Sequence, residues 1–536
     1  MTGKVRSSTD DQDGAGRDDG TRMPDLTRRR LLRSAFGVTG VIGVTALAGC
    51  TSTASPSSAV ATDTEIAPTS PAVAAAEKAR AVAGRDVVTA HLVPQATELD
   101  LGGRTVSTWA YGDTVPGPLL RATAGDVLRI QVDNRLPTDT SVHWHGIAIR
   151  NDMDGVPGLT QDPIASGGSF TYEFTAPDPG TYFYHPHTGV QLDRGLYGVL
   201  VVDDPAEPGR YDHEWVVVVD DWLDGTGRTP DEVLERLRTR GAPGGDGSMG
   251  GTQMGGMQMG GMSMGGMHLG GGGSAISGGD VSYPYFLING RTPADPVTFA
   301  GRPGERVRIR LVNAGCDTAF RVAVGGHRMT VTHSDGYPVV PVVTDSLVIG
   351  MGERYDVVVT LGDGVFPLVA LAEGKGGAAM AVVRTAAGST PRATARPAEL
   401  HRRTVLSSDL RPDRSVRLPE RRPDSQHELV LSGTMRPYRW TINGATYPDT
   451  APVAVTTGQR LRMRFTNMSM MFHPMHVHGH TFAVADTGLR KDTVVVRPME
   501  TVTVDLDADN PGQWPTHCHN LYHAETGMMT MLSYRA

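Results

Sequence analysis

Apolar and polar residues alternate along much of this chain, in short runs bounded by glycine, proline and asparagine, which is the pattern of half-buried strands. One such run occurs three times. Gly125-Asp-Val-Leu-Arg-Ile-Gln-Val-Asp-Asn134 is echoed by Gly304-Glu-Arg-Val-Arg-Ile-Arg-Leu-Val-Asn313 and again by Gly458-Gln-Arg-Leu-Arg-Met-Arg-Phe-Thr-Asn467. Each copy keeps glycine and asparagine at the same interval, with apolar residues on alternate positions that a strand turns to one face. One strand used three times predicts three homologous β-domains in an all-β chain. The 536 residues exceed a single ordinary core, which agrees. The expected division is 85–205, 206–395 and 396–536.

The repeat carries a second pattern in register with the first. Nine positions after Asn134 stands His143-Trp144-His145-Gly146, and nine after Asn467 stands His476-Val477-His478-Gly479. The same offset in the middle copy gives Val322-Ala323-Val324-Gly325. Five residues beyond Gly180 come His185-Pro186-His187, and five beyond Gly512 come His517-Cys518-His519; after Gly364 the equivalents are Val369 and Leu371. The middle copy is apolar where its siblings carry imidazoles. Residues i and i+2 share a strand face, so eight imidazoles are expected to converge between the first and third domains. One ion rarely takes more than four, and eight suit a three-copper cluster.

Cys518, His523 and Met528 follow C-x4-H-x4-M, a spacing suited to a mononuclear copper loop with two His and one Cys in a plane and a weak axial Met. On a strand entering that loop, Cys518 points one way while His517 and His519 point the other. One segment then touches two metal centres, with a covalent path between them.

Composition refines this picture at the ends of the chain. Net charge is −8 and the isoelectric point about 6.1, which gives no support for nucleic-acid binding. Thr27-Arg28-Arg29-Arg30-Leu31-Leu32 resembles a twin-arginine export motif, and the apolar run from Ala35 to Ala48 is too short to span a membrane. Leu47-Ala48-Gly49-Cys50 looks like a bacterial lipoprotein box, with Cys50 as the lipidated residue. Residues 1–50 therefore read as signal and 51–84 as a flexible tether, giving an exported protein held to the outer face of the cell membrane by lipid. Of the three cysteines, Cys50 is assigned to lipid, Cys518 to copper and Cys316 to a small buried thiol, leaving no disulfide pair.

The four His-rich motifs and the Cys518 loop resemble those of the multicopper oxidases, which include laccases, ascorbate oxidases and bacterial cuprous oxidases; the resemblance covers about Arg85 to Ala536. It implies three cupredoxin-like Greek-key β-barrel or sandwich domains, four copper ions, one-electron oxidation of a donor and four-electron reduction of dioxygen to water. Type 1 copper is implied at His473, Cys518, His523 and axial Met528. Type 2 copper is implied at His143 and His476, and the type 3 pair at His145, His185, His187, His478, His517 and His519. Asp154 matches the family's acidic residue after the first H-x-H and is the expected proton relay. Several bacterial members carry Glu directly after the second type 1 His, where this chain has Ala524; Glu525 is the candidate substitute. His480 matches no ligand, and it, His91, His327 and His333 are expected to be structural.

The donor is approached through methionine. Met249 to Met267 is a run of Met-Gly-Gly, Met-Gln-Met and Met-Ser-Met units inside a Met/Gly-rich insert, 241–279, of the middle domain. Thioethers select Cu(I), so the run is a candidate extra copper site. Met468, Met470, Met471 and Met475 flank His473 as well, with one or two of them expected to pack. The reading is oxidation of Cu(I) in copper tolerance, with additional phenol oxidation. A laccase acting mainly on phenols or aromatic amines is the alternative; a copper-storage protein or a cupredoxin-type nitrite reductase would not need the full ligand set.

Overall fold

The computed structural model describes residues 64–207, 209–242 and 278–536. The twin-arginine motif, Cys50 and Met249–Met267 lie outside the described residues. No helix among those described is long and apolar enough to cross a membrane.

The repeated strand takes the same place three times. Val127–Asp133, Arg306–Asn313 and Arg460–Asn467 each sit between a parallel neighbour (Val87–Leu92, His213–Trp222, Ser425–Met435) and an antiparallel one (Ser169–Thr175, Arg354–Thr360, Thr501–Asp507). Each unit has a second sheet whose strands interleave along the chain with those of the first, and the imidazole motifs lie on that second sheet in the first and third units. The terminal asparagine explains why the repeat ends in that residue. Asn134 Nδ2 donates to Thr138 O and Ile164 O, Asn313 Nδ2 to Thr318 O and Ile349 O, and Asn467 Nδ2 to Met471 O and Val496 O. Each buried amide thus ties the loop that follows it to a distant segment, a strand at Ile349 and Val496 and an isolated bridge residue at Ile164.

The middle copy departs from its expected register by one residue. His143 pairs with His185 and His476 with His517, but Val369 pairs with Ala323 rather than Val322. A one-residue shift in a strand exchanges its faces. Val322 and Val324 consequently join the main core, as Trp144 and Val477 do in their own units. Ala323, Val369 and Met380 occupy the face that bears imidazoles elsewhere, and Leu400 from the following Ala398–His401 turn seals it. Strand Thr404–Val405, beyond the expected boundary at 395, still pairs with the middle unit's Ser346–Ile349.

The expected tether is partly built into the fold. Pro71–Arg80 is a helix with Pro in its first turn; Val73 is buried, and the Glu77 carboxylate accepts from Thr175 N at 2.7 Å. Ile66 N donates to Tyr534 O at 2.9 Å. An Ala-rich, Pro-led sequence reads as linker by composition, yet it is helix-forming once one face has a partner.

Candidate metal centres

Three segments bring the thiolate site together. His473 opens strand His473–Val477, Cys518 ends strand Gln513–Cys518, and these strands pair directly through Met475 and Cys518. His523 lies on the short helix Leu521–Glu525, N-capped by the Asn520 side chain. Cys518 Sγ is 3.7 Å from His473 Nδ1 and 3.8 Å from His523 Nδ1, and the two Nδ1 atoms are 3.1 Å apart. All three residues are fully buried. Met528, equally buried, closes the loop through its backbone: its N–H donates to His523 O and its carbonyl accepts from Cys518 N, both at 3.0 Å.

The outer edges of both rings are held. His473 Nε2 meets Ser469 Oγ at 2.8 Å, and His523 Nε2 meets Asp280 Oδ2 at 3.0 Å. Fixing one ring nitrogen turns the other inward as a ligand. Trp440 packs on His523 with ring centroids 4.0 Å apart and on His473 at 5.1 Å. Burial pushes the Cys518 thiol well above its usual range, opposed by the Asn520 backbone, and burial lowers His473. A thiolate in this pocket therefore needs a cation beside it.

All eight remaining imidazoles converge, as the alternation of faces required. His187, His478 and His517 form one triangle, with centroids 5.0 to 5.1 Å apart. His145, His185 and His519 form another, at 4.9 to 5.8 Å. His143 and His476 face each other at 5.8 Å beside both. The first member of each strand pair is anchored by a carbonyl: His143 Nδ1 on Asp154 O, His185 Nδ1 on Pro186 O, His517 Nδ1 on Cys518 O, each at 2.9 Å, and His476 Nδ1 on Asp492 O at 3.0 Å. His145 is held the other way round, by Nε2 on Thr493 Oγ1 at 3.1 Å.

The opposite nitrogens are buried without partners: His143 Nε2, His145 Nδ1, His185 Nε2, His187 Nε2, His476 Nε2 and both nitrogens of His519. His478 Nε2 and His517 Nε2 face each other at 3.0 Å. So many buried orphan acceptors would be costly in an ordinary core, and they fit a donor set for metal ions. Burial lowers His145, His185, His187, His478 and His519 well below the ordinary range and brings His517 down to about 3, keeping the rings neutral and able to ligate.

Asp154, 1% exposed, spans two of these groups: Oδ1 lies 3.1 Å from His143 Nδ1 and Oδ2 lies 2.9 Å from His478 Nδ1. Glu525, the candidate substitute for an acid at Ala524, falls at the end of the helix Leu521–Glu525. It lines a cavity of about 20 Å³ with His185, His187, His517 and His519, room for one water. Burial raises its carboxyl and Arg238 opposes the rise. His480 is structural, bonded to His478 O and Tyr534 Oη, and His91 and His327 likewise have protein partners. His333 lies 3.7 Å from Asp356. Cys316 is a buried thiol whose carbonyl accepts from Leu521 N, steadying the thiolate loop. Ser469, Asp280, Asp492 and Thr493 carry no pattern of their own in the sequence; only their contacts with ligands reveal them.

Comparison with known proteins agrees with this geometry. Three multicopper oxidase family models match residues 94–207, 273–388 and 420–536. The multicopper oxidase MmcO of Mycobacterium tuberculosis is 50% identical over 86% of this chain and 90% of its own length. Copper resistance protein A of Escherichia coli is 28% identical over 81% of the chain and 90% of its own, and laccase-1 of Botryotinia fuckeliana 27% over 82% and 80%. Among solved structures, Fet3p, a multicopper oxidase that functions in iron import, covers 84% of the chain and 90% of its own at a TM-score of 0.69 and 21% identity. The laccase of Botrytis aclada covers 84% and 88% at 0.65 and 25%. Its three cupredoxin-fold units, its converging imidazoles and its half-identical relative agree: the chain belongs to the multicopper oxidases, oxidases whose cofactors are copper ions.

Proposed function

We propose that the chain holds four coppers and oxidises Cu(I) at the expense of dioxygen, with phenols as additional donors. His473, Cys518 and His523 with axial Met528 would hold type 1 copper, His143 and His476 type 2, and the two histidine triangles the type 3 pair. Copper held by these residues would supply one-electron chemistry, with four electrons and four protons in all converting dioxygen to two waters. Cys518 is covalently continuous with His517 and His519, so the protein backbone links the two centres. Asp154 holds protons between His143 and His478, and Glu525 holds one beside a water-sized cavity on the opposite side.

The observation that carries the donor assignment is exposed thioether beside His473. Met468 and Met470, on the loop leading to that ligand, are 56% and 55% exposed, and Met499 is 62% exposed at a φ of +58°. Thr466 pairs with Thr501 at the end of the ladder, and Asn467 N donates to Glu500 O, which brings Met468 and Met499 alongside each other. Met471 and Met475 are buried, so they serve packing. Large unbranched apolar side chains at the surface suit a soft cation.

The insert adds support through its two ends. Ala242 N bonds to Met435 O at 3.2 Å, and Asp280 takes both His523 Nε2 and the Tyr438 hydroxyl on its carboxylate. Both ends therefore lie beside the type 1 ligands, which makes Met249–Met267 a candidate source of extra copper sites. The name of the copper-resistance relative agrees with a Cu(I) role. An open cleft of about 560 Å³, lined by Arg238, Tyr438, Tyr447, Ala524 and Gly527, favours the phenol activity. We further propose export and lipid attachment at Cys50, testable by detergent partitioning of the full chain against Cys50→Ala.

Oxygen uptake with Cu(I) and a phenol as competing donors, corrected for autoxidation, tests the assignment. Cu(I) turnover that falls on removal of 249–267 is expected. Strong phenol turnover with negligible Cu(I) turnover and no effect of the deletion would make the enzyme a laccase.

A further inference from the structure

Among the described residues the middle unit contributes no imidazole to the cluster, yet its turn Gly350–Arg354 is pressed against it. A Cβ on Gly352 would lie 2.8 Å from His519 Cδ2 and 3.1 Å from His145 Cε1, so only glycine admits this approach. Two residues on, Arg354 is fully buried and reaches across to the third unit. Its Nη1 and Nη2 donate to Asp492 Oδ1 and Oδ2, each at 2.7 Å, and its Nε donates to Thr181 O of the first unit at 2.9 Å. One guanidinium thus joins all three units. Gly146, directly after His143-Trp144-His145, makes room for it: a Cβ there would meet Arg354 Nη2 at 2.4 Å.

What Arg354 grips is the support of two ligands. Asp492 Oδ1 accepts from Thr493 Oγ1 at 2.9 Å and lies 3.2 Å from His145 Nε2 and 3.5 Å from His476 Nδ1. Thr493 Oγ1 meets the same two ring nitrogens, each at 3.1 Å. The rings of His145 and His476 stack above this pair at 3.7 Å and 12°. Asp335, also of the middle unit, accepts the backbone N–H groups of Asp492 and Thr493 at 3.3 Å, so the segment is held by side chain and main chain together.

We propose that Arg354 is a positioning residue for the copper cluster: through Asp492 and Thr493 it fixes the orientation and tautomer of His145 and His476, which turns Nδ1 of one and Nε2 of the other toward metal. A planar fork holds a carboxylate in a defined plane, which a lysine ammonium does not. The inference rests on the copper assignment above, in which His476 shares the type 2 ion with His143.

The test is electron paramagnetic resonance of the copper-loaded protein, titrated with a chelator, for wild type, Arg354→Lys and Arg354→Gln. Loss of an outer partner typically weakens metal affinity about 10- to 100-fold. Type 2 copper is expected to leave Arg354→Gln at correspondingly lower chelator, with altered hyperfine splitting, while the blue thiolate absorption stays unchanged; Arg354→Lys should lie between. Should Arg354→Gln fail to fold, Asp492→Asn and Thr493→Val, which keep side-chain volume, are expected to show the same selective change. An unaltered type 2 signal and affinity in folded variants overturns the proposal, as does loss of both signals in step with thermal stability. A wild type lacking any type 2 signal overturns the copper assignment itself, and this proposal with it.

Discussion

Asp154→Asn separates the supply of electrons from the supply of protons. In the wild type one carboxylate serves two imidazoles, at 3.1 Å to His143 Nδ1 and 2.9 Å to His478 Nδ1. With their other nitrogens turned inward, both rings present N–H outward, so both need an acceptor. Asparagine keeps the shape but offers one oxygen and one NH₂. His143 retains the Asp154 carbonyl at 2.9 Å, so the amide oxygen is expected to turn to His478 and the NH₂ to His143. One hydrogen bond to a charged group is lost, worth about 1.5–3 kcal/mol. The variant should still load copper, more weakly, while losing the carboxyl group that can take up and pass on protons, a loss of about 10²- to 10⁴-fold in rate. Stopped-flow absorbance resolves the two halves. Anaerobic bleaching of the blue band by donor should match the wild type, because Asp154 touches neither His473 nor Cys518. Reoxidation by dioxygen of the fully loaded, reduced variant should slow by at least about a hundredfold, the lower limit for a lost general acid. Wild-type reoxidation in a copper-replete Asp154→Asn protein would refute the relay and leave Asp154 a structural partner of two histidines.

Three further outcomes follow from particular contacts. Replacing Met468, Met470 and Met499 together by Leu should lower Cu(I) oxidation several-fold and leave phenol oxidation unchanged, because Leu keeps the apolar surface but removes the soft ligand; equal loss for both donors would remove these residues from the donor site. Asp280→Asn weakens the acceptor at His523 Nε2, makes that imidazole a poorer donor to oxidised copper, and should raise the type 1 reduction potential in a spectroelectrochemical titration. The apoprotein should lose stability on acidification. Burial lowers His145, His185, His187, His473, His476, His478, His517 and His519 in the folded state, so below their ordinary value near 6.5 the unfolded chain binds more protons, and stability falls with pH down to about 3 for His517. Calorimetry of apo and copper-loaded protein between pH 7 and pH 4 checks this, with the loaded form expected to hold its melting temperature to lower pH until protons displace the metal.

The sequence made the fold legible where a pattern was local and repeated. Glycine and asparagine bracket the three copies for reasons the structure supplies: each glycine, 125, 304 and 458, takes a φ near +90° before its strand, and each asparagine locks the following loop. The eight converging imidazoles were legible because alternate residues on a strand must share a face, whereas the C-x4-H-x4-M loop showed in its spacing and His473 came only from the family resemblance. Counting along the chain failed where spacing was not conserved between copies. The middle unit has one residue more before its strand, so the offset of nine named Val322, a core residue, when Ala323 occupies the ligand-equivalent face. Composition failed in the same way at Pro71–Arg80, where an Ala-rich run was as good a helix as a linker.

What stayed illegible are the charged residues that act across long separations. Asp280 reaches His523 and Arg354 reaches Asp492, contacts spanning 243 and 138 residues. Neither lies in a periodic pattern, since a buried charge is tolerated only where a distant partner neutralises it. These residues nonetheless give a reason to keep a unit whose described residues supply no ligand to either centre. In the proposed copper assignment the first and third units supply donor atoms, while the middle one holds the outer nitrogen of His523 through Asp280 and, through Arg354, the plane of the carboxylate beneath His145 and His476. Its own ligand-equivalent face is apolar, sealed by Ala323, Val369 and Leu400, and so offers no donor atoms. Apolar packing on both faces instead ties that sheet pair together, and a well-packed support is what orienting groups at both centres requires of it.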